Sequence, residues 1–180
     1  MAIEAAKNTQ LIDGVDTVSE LFLKRVLELG DKVALREKDF GIWNEYSWSD
    51  WGDFAKWVGL GLTSLGFSRG DVCSIASEVN KEWMFADLGV ITMGGVTNGV
   101  YPTDAPNQVE YLITDSGTRF YFAEDEEQLD KVLEVRDRTP TLEKIIIFDM
   151  EGLRNFDDPQ CISFSQLIEL GQQYELDHPQ

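Results

Sequence analysis

Residues 72–100 read VCSIASEVNKEWMFADLGVITMGGVTNGV and decide the fold. Residues 72–77 have the short apolar pattern of a strand, residues 80–93 carry apolar side chains at helical spacing, and residues 96–100 form a second strand. Two strands joined by a helix of this length are parallel neighbours, because the crossover returns the chain to the same edge of the sheet. The stretch therefore predicts a strand-helix-strand unit of a parallel sheet.

The same alternation continues toward the C-terminus. A helix is expected over residues 103–115, a strand over 120–123, a third crossover helix through the stripe that begins at Leu129, and a strand over 145–148. The last strand is apolar at every position, as in a strand buried on both faces. Four strands and three helical crossovers define the fold class as α/β, a parallel, doubly wound sheet.

A helix and a hairpin precede this sheet. Thr17 and Glu20 make a capping box that begins the first helix, and Gly30 ends it. Strands are expected over residues 33–37 and 42–47, joined by a tight turn. The chain thus enters the sheet through a helix and an antiparallel β-hairpin.

A long helix follows the hairpin. Ser47 and Asp50 repeat the capping signature, and the apolar stripe ends at Gly66. Glycine is costly inside a helix, so close backbone packing is expected at the internal glycines of this helix, which are Gly52, Gly59 and Gly61.

The two ends of the chain differ from its middle. Residues 1–16 are expected to form a flexible arm, and residues 17–170 one α/β subdomain. Residues 161–163 are expected to form a short strand, and Ser163 caps a short helix that is expected to end at Leu170. Residues 171–180 are then interpreted as a polar tail at a truncation point.

Composition limits the function classes. The formal net charge of -18, from 33 acidic and 15 basic residues, predicts neither nucleic acid nor an anionic membrane as the main partner. Two cysteines, Cys73 and Cys161, cannot form a disulfide framework, so a reducing, cytoplasmic setting is expected. No apolar run reaches the length of a signal peptide or a membrane span.

The chemical motifs are excluded one by one. The single histidine, His178, stands apart from any nucleophile, which leaves no catalytic triad and no histidine-based metal site. The pair Gly59 and Gly61 lies inside a helix rather than after a strand, so it is not a dinucleotide fingerprint. Residues 66–70 lack the lysine of a P-loop, and residues 115–118 are interpreted as a helix end. No catalytic, cofactor-binding or metal-binding residue is therefore assigned.

Two segments follow strands at the carboxyl edge of the sheet, where open α/β folds place ligands. Residues 80–83, Asn-Lys-Glu-Trp, are interpreted mainly as a helix cap with Trp83 packed in the core. Residues 99–103 are a rigid turn in which Tyr101 could line the mouth of a pocket. Tyr101 is the one residue assigned to the edge of a substrate pocket.

The order of five segments resembles a known family. These are VALREKDFGIWNEYSW (33–48), LGFSRGDV (65–72), NKEW (80–83), GGVTNGVYPT (94–103) and EYLITDSGTRFYFAED (110–125). Each is weak alone, but their order and spacing are similar to those of the bacterial long-chain acyl-CoA synthetases of the adenylate-forming, AMP-binding superfamily. The resemblance extends over residues 17–170.

This resemblance implies a ligase that uses ATP and Mg2+ to form an acyl-adenylate and pyrophosphate, and then transfers the acyl group to coenzyme A. The family's phosphate-binding loop, [ST]-G-[ST]-T-G-x-P-K, does not occur in this sequence. No family catalytic residue can be carried onto these positions, so no cofactor is expected on this chain alone. The chain is interpreted as an inactive N-terminal part of such an enzyme.

Other interpretations stay open at this stage. The acid could be an aryl, short-chain or polyketide-type substrate, or the chain could be a standalone flavodoxin-like binding module. The resemblance implies the remainder of the polypeptide as a partner and a fatty acid as substrate of the parent. Homodimerisation and peripheral membrane association of the parent also remain possible partner relations.

Overall fold

The computed structural model describes residues 12–179. Its helices and strands, in chain order, are α1 Val18–Leu29, β1 Val33–Asp39, β2 Ile42–Ser47, α2 Trp48–Ser64, β3 Val72–Ala76, α3 Lys81–Thr92, β4 Val96–Val100, α4 Pro106–Ser116, β5 Thr118–Ala123, α5 Glu126–Val135, β6 Lys144–Ile147, β7 Cys161–Ser163 and α6 Phe164–Asp177. The predicted arm at residues 1–16 lies for the most part outside the described residues, and the proposed domain boundaries stay predictions.

The main sheet has five strands in the order β4-β3-β5-β6-β7, and every neighbouring pair is parallel. The hairpin β1-β2 is antiparallel and forms a separate two-stranded sheet. The α/β class, the helical crossovers and the preceding helix and hairpin are therefore confirmed.

Helices cover both faces of the sheet and create two cores. Helices α1, α2, α3 and α6 pack on one face around Phe120 and Phe122, and α4 and α5 pack on the other around Tyr121. Successive side chains of β5 point to opposite faces, which is why a continuous apolar strand serves both cores. Cys73 is fully buried in the first core, as expected of a structural thiol.

The sheet extends one strand further than the predicted four. Residues 161–163 pair in parallel with β6, with Cys161 opposite Ile145 and Ser163 opposite Ile147. The short strand expected at residues 161–163 is confirmed. Its place in the sheet could not be predicted, because three residues show no strand period and the pairing partner decides it.

Helix α6 is longer than the short helix that the sequence predicts to end at Leu170. The helix continues to Asp177. Gly171 lies against the backbone of Trp57 in α2, where a Cβ would overlap the carbonyl oxygen of Trp57. One turn later the Glu175 carboxylate accepts a hydrogen bond from the Trp57 indole at 2.9 Å and pairs with Lys56 at 3.0 Å. Docking on α2 holds these residues helical although they carry few apolar side chains.

The glycines inside α2 mark close contacts, as predicted. A Cβ at Gly61 would overlap the carbonyl oxygen of Leu167 in α6, and one at Gly59 would lie 2.5 Å from the Met93 side chain. The absent side chains let neighbouring elements approach the backbone of α2. These glycines belong to helix packing and not to a nucleotide fingerprint.

Candidate functional site

The carboxyl edge of the five-stranded sheet contains a topological switch point. From β3 the chain crosses to β4 on one side, whereas from β5 it proceeds to β6 on the other side. The two crossovers therefore diverge between β3 and β5, and a crevice opens outside the carboxyl ends of these two strands. This is the place where the fold class positions ligands.

A polar depression of about 430 Å³ occupies this position. Glu124, directly after β5, closes part of it: its carboxylate accepts hydrogen bonds from the Glu78 backbone N–H at 2.8 Å and from the Asn80 amide at 3.4 Å. The full lining is Glu37, Asn80, Lys81, Glu82, Glu124, Asp125, Phe148 and Asp149.

Asn80 begins helix α3 as the cap that the sequence predicts. Its side-chain oxygen accepts the Trp83 backbone N–H at 2.8 Å, and its amide donates to the Ser77 hydroxyl at 3.0 Å. The cap satisfies one of the free N–H groups at the start of the helix. Trp83 packs against the first core, so this interpretation is confirmed.

Lys81, in the lining of the crevice, forms an ion pair with the β-hairpin. Its ammonium lies 2.6 Å from the Glu37 carboxylate on β1 and 2.9 Å from the Glu82 carboxylate on α3. Partial burial alone would lower the pKa of Lys81, but the hydrogen bonds to Glu37 and Glu82 outweigh it and raise the pKa above its ordinary value. Lys81 stays charged and is already neutralised by these two partners.

The charges of the crevice do not fit a nucleotide. Five carboxylates line it with a single lysine, and both hydrogen-bonding groups of the Asn80 side chain are already used. A phosphate would meet repulsion at this place. Between residues 12 and 179, no three His, Cys, Asp or Glu side chains come together in a way that could hold a metal ion. The ATP, Mg2+ and CoA implied by the resemblance therefore find no matching donor set at this crevice.

An aromatic depression of about 520 Å³ adjoins the crevice at Lys81, Glu82 and Phe148. The Phe54 and Phe85 rings stack with centroids 4.5 Å apart, and the Tyr46 ring meets Phe85 edge to face at 5.8 Å. Burial raises the pKa of Tyr46, so its hydroxyl stays neutral. The depression can hold an apolar group, because its floor is aromatic and its rim carries the polar side chains.

Sequence reasoning did not find this depression. Its aromatic residues come from the hairpin, from α2, α3 and α6 and from the end of β6, and they are separated by more than 100 positions. Each of them looks like an ordinary core residue in its own segment. Only the tertiary arrangement shows that they share one surface.

Tyr101 lies in the turn after β4. Its side chain is 77% exposed, and the turn is closed by Asp104, whose carboxylate accepts the Tyr101 backbone N–H at 3.2 Å. Lys131 of α5 donates to the Pro102 carbonyl at 2.5 Å. These two hydrogen bonds hold the turn, and Tyr101 is not part of the lining of either depression described above. Its role at a pocket edge stays a prediction.

The remaining excluded motifs behave as local structure. Gly117 ends α4 in the left-handed region with φ 68°, as the helix-end interpretation requires. Gly66 and Gly70 have positive φ in the turn before β3, where Asp71 accepts the Ser68 backbone N–H at 2.6 Å. His178 stacks on Tyr174 at the end of α6, with ring centroids 4.1 Å apart.

Comparison with known families agrees with the fold and the segment order. The family described as AMP-binding enzyme matches residues 22–168 of the chain. The chain therefore belongs to the AMP-binding enzyme family, and the resemblance noted from its five segments is confirmed.

Curated relatives are fatty acid ligases by name. The chain is 28% identical over 155 residues to the long-chain-fatty-acid–CoA ligase ACSBG2 of Xenopus laevis, a match that covers 86% of this chain and 21% of the relative. It is 27% identical over 131 residues to the long-chain-fatty-acid–CoA ligase FadD15 of Mycobacterium bovis, with 73% and 22% covered. The chain spans about a fifth of the length of these relatives.

Solved structures agree on the fold. The anthranilate CoA ligase AuaEII in complex with anthranoyl-AMP matches with a TM-score of 0.72 at 22% identity, over 84% of this chain and 26% of that one. The adenylation domain of a carboxylate reductase from Mycobacterium chelonae also gives a TM-score of 0.72, at 15% identity, over 87% of this chain and 29% of that domain. The chain thus folds like the corresponding part of adenylate-forming enzymes.

Proposed function

We propose that this chain is the N-terminal part of an ATP-dependent long-chain fatty acid:CoA ligase. The observation that carries the proposal is the match of the family over residues 22–168 in a chain that spans about a fifth of relatives named as such ligases. In the parent reaction the fatty acid carboxylate displaces pyrophosphate from ATP, and the thiol of CoA then displaces AMP from the acyl-adenylate. ATP, Mg2+ and CoA are cofactors of that parent.

Within the parent, this part acts as a scaffold. The described residues offer an aromatic surface and an acidic crevice, whose one lysine is already paired, rather than a set of reacting groups. The aromatic depression around Phe54, Phe85 and Phe164 has the chemistry of a wall beside an acyl chain. Catalysis is then carried by the remainder of the polypeptide, and this chain alone is inactive.

The hairpin supports a covered position in a larger body. Phe40 is 99% exposed at its tip, and Ile42 and Trp43 are also exposed. Adjacent apolar side chains are costly to leave in water and mark interaction surfaces. The rest of the ligase is the partner that we propose for this tip.

The parent is proposed to work in the cytoplasm. None of the helices between residues 12 and 179 combines the length with the apolar character that crossing a bilayer requires.

Two measurements test the proposal. The purified 180-residue chain is expected to show neither fatty-acid-dependent exchange of pyrophosphate into ATP nor formation of acyl-CoA, and turnover by this sample would refute the scaffold role. The full product of the source gene, assayed with long-chain, short-chain and aryl acids, is expected to favour the long-chain acids. A product that makes no acyl-CoA from any of them, or that binds flavin instead, would refute the ligase assignment.

A further inference from the structure

We propose that Asn98 fixes the register of strand β4 through a buried chain of hydrogen bonds, and thereby positions the turn that carries Tyr101. Asn98 lies opposite Ser74 of β3, and its side-chain amide donates to the Ser74 hydroxyl at 3.0 Å. Both side chains are on the face of the sheet that packs against α4 and α5. Asparagine is rare in strands, so its place opposite a buried hydroxyl points to this contact as its role.

Two further hydroxyl groups continue the contact across the sheet. The side-chain oxygens of Ser74 and Thr118 lie 2.6 Å apart, and both residues are fully buried. The Thr118 oxygen lies 2.7 Å from that of Ser116. The Ser116 hydroxyl in turn donates to the Leu112 carbonyl at 2.6 Å. One chain of contacts thus joins β4, β3 and β5 to the last turn of α4.

Only one arrangement of protons satisfies all of these contacts. The Leu112 carbonyl can only accept, so the Ser116 hydroxyl donates to it. Thr118 then donates to Ser116, and Ser74 donates to Thr118, which leaves the Ser74 oxygen to accept from Asn98. If the amide of Asn98 were turned to accept from Ser74, one of the two contacts of Thr118 would have no proton between its oxygens. The chain therefore requires a donor at position 98.

The apolar pattern of β4 specifies its register only weakly. The strand reads Val-Thr-Asn-Gly-Val, and a shift by two residues along β3 keeps every side chain on its own face of the sheet. Such a shift would bring Val96 or Val100 opposite Ser74, and the buried hydrogen bond from position 98 would be lost. A buried polar contact that only one register can form selects that register.

The register of β4 also decides where the following turn lies. A shift by two residues would move the end of the strand by about 7 Å along the sheet. Tyr101 follows the last residue of β4 directly, so its place at the carboxyl edge depends on the same contact. Asn98 is therefore a positioning residue for this turn.

Nuclear magnetic resonance of the full 180-residue chain tests the register. Asn98→Val removes the donor, and it is expected to give more than one set of amide signals for residues 96–104, whereas β6 keeps a single set. Nuclear Overhauser contacts between β3 and β4 identify the residue opposite Ser74 in each set. Thr97→Val is the matched control on the same strand. The buried Thr97 hydroxyl has no hydrogen-bond partner among the described residues, so its loss is expected to leave one set of signals in the native register.

Hydrogen exchange of the side-chain amide tests the direction of the chain. In the unmodified protein the Asn98 Nδ2 protons are expected to exchange more slowly than those of Asn155, which is exposed. Thr118→Val removes the acceptor of the Ser74 hydroxyl, which then donates to the Asn98 amide oxygen. The amide turns over, and the protection of its Nδ2 protons is expected to fall about tenfold while β4 keeps its register.

Two results would overturn the proposal. The first is a single set of signals for Asn98→Val with residue 98 still opposite Ser74. The second is rapid exchange of the Asn98 side-chain amide in the unmodified protein, or protection that Thr118→Val leaves unchanged. The measurement on the unmodified protein does not depend on how the variants fold.

Discussion

Phe40 combines two unfavourable features at one position of the hairpin. Its φ of 44° lies in the left-handed region, and its ring is almost fully in solvent. With Gly41 at φ 84°, the two residues have the backbone of a type I′ turn, for which Asn-Gly is the favoured pair. A large apolar residue with this φ strains the backbone, and the Phe40 ring gains no contact within the described chain. Both features fit a side chain that packs against another part of the protein.

The first prediction follows at this position. Phe40→Asn is expected to stabilise the chain by about 0.5–1 kcal/mol, because asparagine tolerates the left-handed conformation and no packing is lost. Phe40→Ala, which removes the ring but keeps a strained Cβ, is the control and is expected to be close to neutral. Urea unfolding of the three proteins gives the comparison. Equal gains for both variants would show that the ring, and not the backbone, carries the cost.

Asn80 shows how far single residues predict the site. Its position before the apolar helix and its type predict a cap, and the contact with Trp83 confirms it. The bonds from its amide and from Glu78 to the Glu124 carboxylate could not be predicted, because Glu124 is more than 40 positions away and meets them only through the β3–β5 pairing. A helix cap can therefore be predicted from the sequence, whereas hydrogen-bond partners on a neighbouring strand cannot.

Among the elements, predictability follows the strength of the local pattern. The helix of residues 80–93 and the strand of residues 96–100 are recovered nearly to the residue, since capping, period and glycine stops agree there. The place of β7 in the sheet and the last turns of α6 could not be predicted, because these segments are short or polar. They owe their structure to the surfaces that they contact, β6 and α2.

The second prediction tests this tertiary support of α6. Gly171→Ala is expected to destabilise the chain by about 1–3 kcal/mol, since the new methyl group would overlap the backbone of Trp57, which cannot move aside like a side chain. Gln172→Ala is the matched control in the same helix, and because residue 172 is exposed its effect is expected to stay within about 0.5 kcal/mol. Denaturant unfolding monitored by tryptophan fluorescence measures both.

The opposite result is equally informative. A glycine in a helix that faces solvent gains about 1 kcal/mol when it is replaced by alanine. If Gly171→Ala were stabilising, residues 171–177 would be an undocked extension, and the result would support the interpretation of this segment as a tail.

On the scale of the whole molecule, the apolar side chains lie in the interior and the charged side chains lie at the surface. The apolar residues form two cores on either side of one sheet, and the surface carries a net charge of -18. Most ion pairs among the described residues involve partly exposed side chains, as the pair of Arg36 and Glu45 illustrates. Such pairs add little stability, so mutual repulsion between surface carboxylates is the main long-range electrostatic effect.

Salt should therefore stabilise this chain. Raising NaCl from about 0.01 to 0.3 M shortens the screening length from about 30 Å to less than 8 Å and weakens the repulsion across the surface. We expect the unfolding midpoint to rise by about 2–4 °C, which corresponds to about 1 kcal/mol for a chain of this length. KCl at equal ionic strength is the control and should act alike, because screening does not depend on the identity of the cation. A midpoint that falls with salt would mean that ion pairs such as Lys81 with Glu37, and not repulsion, dominate the electrostatics of the fold.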